Sequence, residues 1–302
     1  MYGCNMSIPY GGWMGNTIKD AFHPPRALTA GVQDFLYMHE DFYPKGPVRG
    51  AVVLYSFASN YWREATRGGG ANGMQDSFED LLDPTTSDWE EAVHVPFWDV
   101  IREMSARQAM YDVKLLPDGE LRPDDAEESW LSPYPMLVLP DCHTLTPHQC
   151  RLILDYAQRG GGVLVYGQLA QDTPLADQLR AFPNVAFIPL SLTADMSNFG
   201  EMFERMYAPL SVVSCSDRRL GIQRFDCGKR AFVHLLNYNY DAASDKVLPI
   251  ENVSVKLRCA GGNIHLYTLE GKPVNFTLSG SRDEWTVRLE HVPLYTVIVA
   301  EE

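Results

Sequence analysis

Between Val48 and Ser214 continuous apolar runs alternate with stretches of helical period. Ala51–Phe57 (AVVLYSF) is apolar nearly throughout, the pattern of a strand buried on both faces of a parallel sheet. A long polar loop with Gly68-Gly69-Gly70 and Asn72-Gly73 follows. Residues 97–109 then set Phe97, Val100, Ile101 and Met104 at helical spacing, with Pro96 near the start. Tyr111–Leu116 predicts a strand closed by the turn Pro117-Asp118-Gly119, and Met136–Leu139 predicts another that stops at Pro140. The next helix is marked at both ends. Thr146 is its N-cap, Pro147 takes the first helical position and Gln149 completes a capping box. Cys150, Ile153, Leu154 and Ala157 form its apolar stripe, and Gly160 ends it in the left-handed conformation. Strand Val163–Tyr166, helix 174–181, strand Val185–Leu190, helix 195–207 and strand Ser211–Ser214 complete the series. Six strand candidates joined by helices predict an α/β fold, a flavodoxin-like doubly wound domain over residues 48–215.

From residue 216 to 302 helical periods stop. Ala231–Leu236, Val253–Leu257, Ile264–Leu269, Trp285–Leu289 and Tyr295–Val299 are short runs separated by turns such as Gly261-Gly262-Asn263 and Glu270-Gly271-Lys272-Pro273. This spacing predicts a small antiparallel β-sandwich. Within HLLNYNY (234–240), alternation puts His234, Leu236 and Tyr238 on one face and Leu235, Asn237 and Asn239 on the other, a core strand with a polar corner. Residues 1–47 are an aromatic-rich loop punctuated by Pro9, Gly11, Gly12, Pro24 and Pro25, then one helix from Leu28 to Tyr43. Such a helix needs a partner surface, so this segment reads as part of a larger unit.

Composition narrows the partners. The net charge of −14 is concentrated in residues 71–130, where sixteen acidic residues face four basic ones, while the stretch from Asp217 onward is balanced. An acidic block of this kind repels phosphate backbones and argues against nucleic acid. No run of eighteen apolar residues occurs, and MYGCNMSIPYGGWMG has neither a basic nor an apolar region of a signal peptide. No membrane association is expected. The six cysteines lack CxxC spacing and mostly sit within apolar patterns, as buried thiols of a reducing, cytoplasmic compartment do. The sequons at Asn5, Asn252 and Asn275 carry little weight there.

Candidate chemistry centres on RGGGVLVYGQLAQD (159–172). A strand–turn–helix of this shape can lift a Ser or Cys nucleophile above a sheet, but Gly167 is followed by Gln168, Leu169 and Ala170. The downstream histidines, His234, His265 and His291, also lack the HxE pattern of class I amidotransferases. DCHTLTPHQC (141–150) is the richest polar cluster. Cys142 beside His143 could act as nucleophile and base, although sequence neighbours point apart, and Cys150 on the helix stripe cannot easily share a metal with them. Gly68–Gly70 is followed by no Lys-Ser/Thr pair and is no phosphate loop. Trp13, Tyr61 and Trp62 are aromatics that could stack on a sugar face, or simply pack in a core. No metal or cofactor set emerges.

YPMLVLPDCHTLTPHQCRLILDYAQRGGGVLVYGQLA (134–170) resembles the amidotransferase-like trimerisation domain of family-42-type β-galactosidases and related glycoside hydrolases. VQDFLYMHEDFYP (32–44) and VRGAVVLYSFASNYW (48–62) resemble the junction between their barrel and that domain. YDVKLLPDGELRPD (111–124) fits its second strand, and AFVHLLNYNYD (231–241) resembles the opening of the C-terminal β-sandwich. The resemblance implies an α/β domain without its nucleophile and self-association, as a trimer. It also implies catalytic glutamates on a preceding (β/α)₈ barrel. A barrel needs about 250 residues, so residues 1–47 are at most its remnant, and MSIPYGGWMG (6–15) could be a surviving rim with Trp13 beside a sugar. The expected role is accessory: oligomerisation and support of a glycoside hydrolase, with carbohydrate as ligand. The alternatives are a stand-alone amidotransferase-like hydrolase using Cys142 and His143, and a carbohydrate-binding module using Trp13, Tyr61 and Trp62.

Overall fold

The computed structural model describes residues 26–60, 95–191, 195–281 and 283–302. The described residues fall into two compact units, one within residues 49–210 and the other formed by residues 26–48 and 211–302. Helix α1 (Arg26–Met38) and a 3-10 turn, Glu40–Phe42, belong to the second.

The unit Arg49–Leu210 is built on five parallel strands in the order β2-β1-β3-β4-β5. These are β1 (Ala51–Ser56), β2 (Tyr111–Leu116), β3 (Met136–Pro140), β4 (Gly162–Tyr166) and β5 (Val185–Ile188). Helices α2 (Pro96–Ala106), α3 (Pro147–Gln158), α4 (Leu175–Leu179) and α5 (Ser197–Tyr207) cover it. Strand alternation divides the apolar runs between two cores. Val52, Leu54, Leu137, Leu139, Val163 and Val165 pack against Ile153, Ala157, Leu175 and Leu179 of α3 and α4. Their neighbours Val53, Tyr55, Val138, Leu164 and Tyr166 pack against Phe97, Val100 and Met104 of α2 and Phe199 and Phe203 of α5. Burial on both faces is why these strands read as unbroken apolar runs. The ends of α3 follow from local chemistry. The Thr146 side chain accepts from Gln149 N at 3.1 Å, the Gln149 side chain returns to Thr146 N at 3.2 Å, and Gly160 at φ +91° closes the helix.

One expected strand falls elsewhere. Ser211–Ser214 was predicted as the sixth strand of the doubly wound sheet. In the structure β6 (Val213–Cys215) pairs antiparallel with β11 (Ile250–Arg258) in the other unit. Its burial explains the difference: only Val213 is buried, and a central parallel strand must be apolar on both faces.

The second unit holds two four-stranded antiparallel sheets, β13-β14-β11-β6 and β12-β15-β8-β7. Their remaining strands are β7 (Leu220–Cys227), β8 (Arg230–Asn237), β12 (Asn263–Thr268), β13 (Phe276–Ser281), β14 (Glu284–Val292) and β15 (Tyr295–Glu301). A short hairpin of β9 (Tyr240–Asp241) and β10 (Lys246–Val247) leads into β11. The buried Arg224 guanidinium on β7 donates to the carbonyls of Val212 and Arg258 at 3.0 and 2.7 Å, and its Nε reaches Asp226 at 2.8 Å. It ties one sheet to the edge of the other.

The segment expected as one helix from Leu28 to Tyr43 breaks at His39, whose φ and ψ of −129° and 39° are not helical. The break lets the His39 ring stack on Phe42, with centroids 4.6 Å apart. Phe35 and Phe42 then pack on Phe225, Phe232, Val297 and Val299 of β7, β8 and β15. The partner surface this helix needs is therefore the outer face of a sandwich sheet. With that face covered, β8 is buried on both sides.

Candidate functional site

In the order β2-β1-β3-β4-β5 the connections leave β1 and β3 in opposite directions, so a crevice opens at their carboxyl ends, where ligands of open α/β sheets bind. Strands β1, β3 and β4 end there at Ser56, Pro140 and Tyr166. The chain fills this crevice with its own hydroxyl groups. Ser56 Oγ donates to the Thr144 carbonyl at 2.7 Å. Ser59 Oγ lies 2.8 Å from Ser56 Oγ and accepts from Thr144 N at 2.9 Å. His143 Nε2 donates to the Ser59 carbonyl at 3.0 Å, and its Nδ1 lies 2.9 Å from Thr144 Oγ1. Asn60 is fully buried. Its Nδ2 donates to the Ser56 carbonyl at 3.0 Å, while its Oδ1 has no hydrogen-bond partner among the described residues.

The elbow after β4 is locked in the same way. Gly167 takes φ +89° and Asp141 φ +48°, and Asp141 Oδ1 accepts from Gln168 N at 2.7 Å. A Cβ added to Gly167 would stand 2.5 Å from that oxygen, so the residue must be glycine for conformation and space alike. Ala170 N and Gln171 N donate to the carbonyls of Cys142 and His143, each at 2.9 Å, which binds the two post-strand loops together. Burial raises the Tyr166 phenol above its usual range, and its oxygen accepts from Ser191 N at 3.2 Å.

Cys142 and His143 turn to different partners. The Cys142 side chain is fully buried among Leu54, Leu139 and Leu145, with Sγ 3.5 Å from the Leu54 carbonyl. A thiol becomes a nucleophile when an imidazole or other cationic group stabilises its thiolate. Here both ring nitrogens of His143 are engaged by Thr144 and Ser59 instead. Cys150 is half-buried beside Thr173, and burial pushes its thiol up. Trp13, Tyr61 and Trp62 lie outside the described residues. Among the described residues no group of three or more His, Cys, Asp and Glu is placed to hold a metal, and no helix is long and apolar enough to cross a membrane. Ser56, Ser59 and Asn60 escaped the sequence reading. Their signal was the polar SFASN directly after an apolar strand, with the two serines one helical turn apart.

No protein-family model matches this chain, and no curated protein sequence is similar enough to count as a relative. Solved structures do share its fold. The alpha-L-fucosidase isoenzyme 2 from Paenibacillus thiaminolyticus superimposes with a TM-score of 0.56 at 11% identity, over 89% of this chain and 51% of its own. A catalytic mutant of Gan42B, a GH42 beta-galactosidase from G. stearothermophilus, superimposes with a TM-score of 0.50 at 11% identity, over 90% of this chain and 43% of its own. The chain thus spans about half the length of the structures it matches. At this identity the likeness is one of fold: a parallel α/β sheet joined to antiparallel sheets, as found within two glycosidase structures.

Proposed function

We propose that this chain is the accessory, self-associating part of a glycoside hydrolase-type protein, with bond cleavage carried by groups outside it. We read its parallel sheet as flavodoxin-like, because β2-β1-β3-β4-β5 is the strand order of that doubly wound class, with an amidotransferase-like elbow that carries no nucleophile. The observation that carries the proposal is the filled crevice. A retaining glycosidase needs two carboxylates about 5 Å apart facing a sugar. The described carboxyl edge offers instead a hydroxyl network, with the Asp141 carboxylate already bound to the Gln168 backbone. Two glycosidase structures sharing the fold over most of this chain supply the reaction class.

The test is hydrolysis of nitrophenyl β-galactoside and nitrophenyl α-L-fucoside by the purified chain. The expected rate equals that of buffer. Saturable turnover that co-purifies with the chain would overturn the proposal. Carbohydrate is the expected ligand of the larger protein, with Trp13, Tyr61 and Trp62 as its contacts on this chain. Titration of galactosides against tryptophan fluorescence examines that part separately.

A further inference from the structure

We propose that two copies of this chain pair antiparallel through the free edge of β2, about a twofold axis at Val113. The inference rests on the self-association proposed above and assigns it a twofold pairing in place of the trimer that the family resemblance implies. Among the described residues strand β2 is the outer strand of the parallel sheet and pairs with β1 alone, in one uninterrupted register from Tyr111 to Leu116. The direction of its free groups follows from one hydrogen bond. Ala51 N donates to Met110 O at 2.9 Å, so the carbonyl of Met110 points at β1. Backbone groups alternate sides along a strand, so Asp112, Lys114 and Leu116 also turn theirs toward β1. Tyr111, Val113 and Leu115 therefore aim N–H and C=O away from the sheet. Among the described residues those groups meet no partner.

Natural edges are blunted by proline, by bulges or by charge. This one has neither proline nor bulge, and it exposes apolar side chains: Val113 is 39% and Leu115 55% accessible. Its one charged pair is arranged to complement itself. In an antiparallel pairing centred on Val113, the Val113 residues of the two copies exchange both backbone hydrogen bonds, and Tyr111 of each copy does so with Leu115 of the other. Asp112 of each copy then falls directly opposite Lys114 of the other, at the closer, non-hydrogen-bonded spacing. Within one copy both charged groups are already held on the same face. Tyr134 donates to Asp112, and Lys114 Nζ lies 5.7 Å from the centre of the Trp130 ring. Opposite charges thus meet twice across the axis, and a residue i that meets j while j meets i is the signature of an isologous twofold interface. A strand displaced by one residue would lose both the ion pairs and the apolar match.

Light scattering of the full chain across a dilution series, on the wild type and three variants, tests this. The wild type is expected at twice its chain mass of 34.0 kDa, falling to one on dilution. Lys114→Asp places two Asp pairs across the axis, and Asp112→Lys places two Lys pairs. Each is expected to weaken self-association at least about tenfold. Mixing the two variants restores opposite charges at both sites, so a heterodimer should form where neither variant self-pairs. Asp112→Lys also loses its bond from Tyr134, so its melting curve is checked alongside. Val113→Pro gives an independent reading: it removes an outward N–H without touching the β1 ladder and is expected to be monomeric and folded. Self-association unchanged in all variants, or a stable trimer, overturns the β2 surface and leaves self-association standing. A wild type that is monomeric at every concentration overturns both.

Discussion

The Nε2 of His234 lies 3.0 Å from the carbonyl oxygen of Phe42, joining β8 to a 3-10 turn 192 positions earlier in the chain. The carbonyl can only accept, so Nε2 carries the proton. Nδ1 then accepts from the Tyr295 hydroxyl at 2.5 Å, and that hydroxyl is 2.9 Å from Tyr43. Burial is the main cause that holds the His234 imidazole down to about 3, overriding the Phe42 carbonyl, which favours the charged form. Burial likewise raises the Tyr43 and Tyr295 phenols, so the three groups stay neutral as a set.

A pH dependence follows. In the unfolded chain His234 titrates near 6.5, and in the folded chain near 3. Above 6.5 neither state binds the proton, so this contribution to stability is complete there. Between 6.5 and 3 only the unfolded state takes it up, and folding loses roughly 1.4 kcal/mol per pH unit from this group. His234→Gln keeps a donor for Phe42 and an acceptor for Tyr295 but binds no proton. Urea denaturation of wild type and variant at pH 7, 6, 5 and 4 should show the stability advantage of the wild type shrinking with each step below 6. A constant difference across the series would mean that His234 is not held neutral.

This same residue marks what the sequence made legible and what it hid. Alternation along HLLNYNY correctly set His234 and Leu235 on opposite faces. It could not show that both faces are buried, because the covering residues Phe35 and Phe42 lie nearly two hundred positions away. Strands β1, β3 and β4 were legible because burial on both faces leaves an unbroken apolar run, and α3 because Thr146, Pro147, Gln149 and Gly160 fix its ends locally. Leu220–Cys227 and Phe276–Ser281 went unread as strands. The first carries Gln223 and Arg224 at buried positions, and the second is an exposed edge with Ser279 and Gly280. The elbow at Gly167 was legible as a turn. Its lock on Asp141 was not, since that bond joins two loops through space.

The lock predicts a coupled pair. Gly167→Ala forces a side chain into a left-handed backbone and against Asp141 Oδ1, and should cost about 1–3 kcal/mol or more. Asp141→Ala leaves Gln168 N without its acceptor and should cost about 1–3 kcal/mol. In the double variant the clash with the carboxylate is gone, so the two losses should sum to less than their separate values. Chemical denaturation of the four proteins measures the cycle. Strict additivity would mean that the elbow and the β3 loop are independent.

Thiol reactivity separates the scaffold reading of this region from a catalytic one. Cys227 is exposed near the end of β7, whereas Cys142 is sealed in the core between β1 and β3. Cys150 and Cys259 stand between these extremes, half-buried, with thiols pushed up by that burial. The thiolate is the reacting species, so both burial and a raised pKa slow alkylation. Iodoacetamide at pH 8 followed by mass spectrometry of peptides should find Cys227 modified before Cys150 and Cys259, and Cys142 only once urea unfolds the chain. A catalytic Cys142 would reverse that order, reacting fastest in the folded protein and losing its advantage on His143→Ala. With Sγ facing the Leu54 carbonyl and His143 held by Ser59 and Thr144, that substitution should instead leave every labelling rate except those tied to global unfolding unchanged.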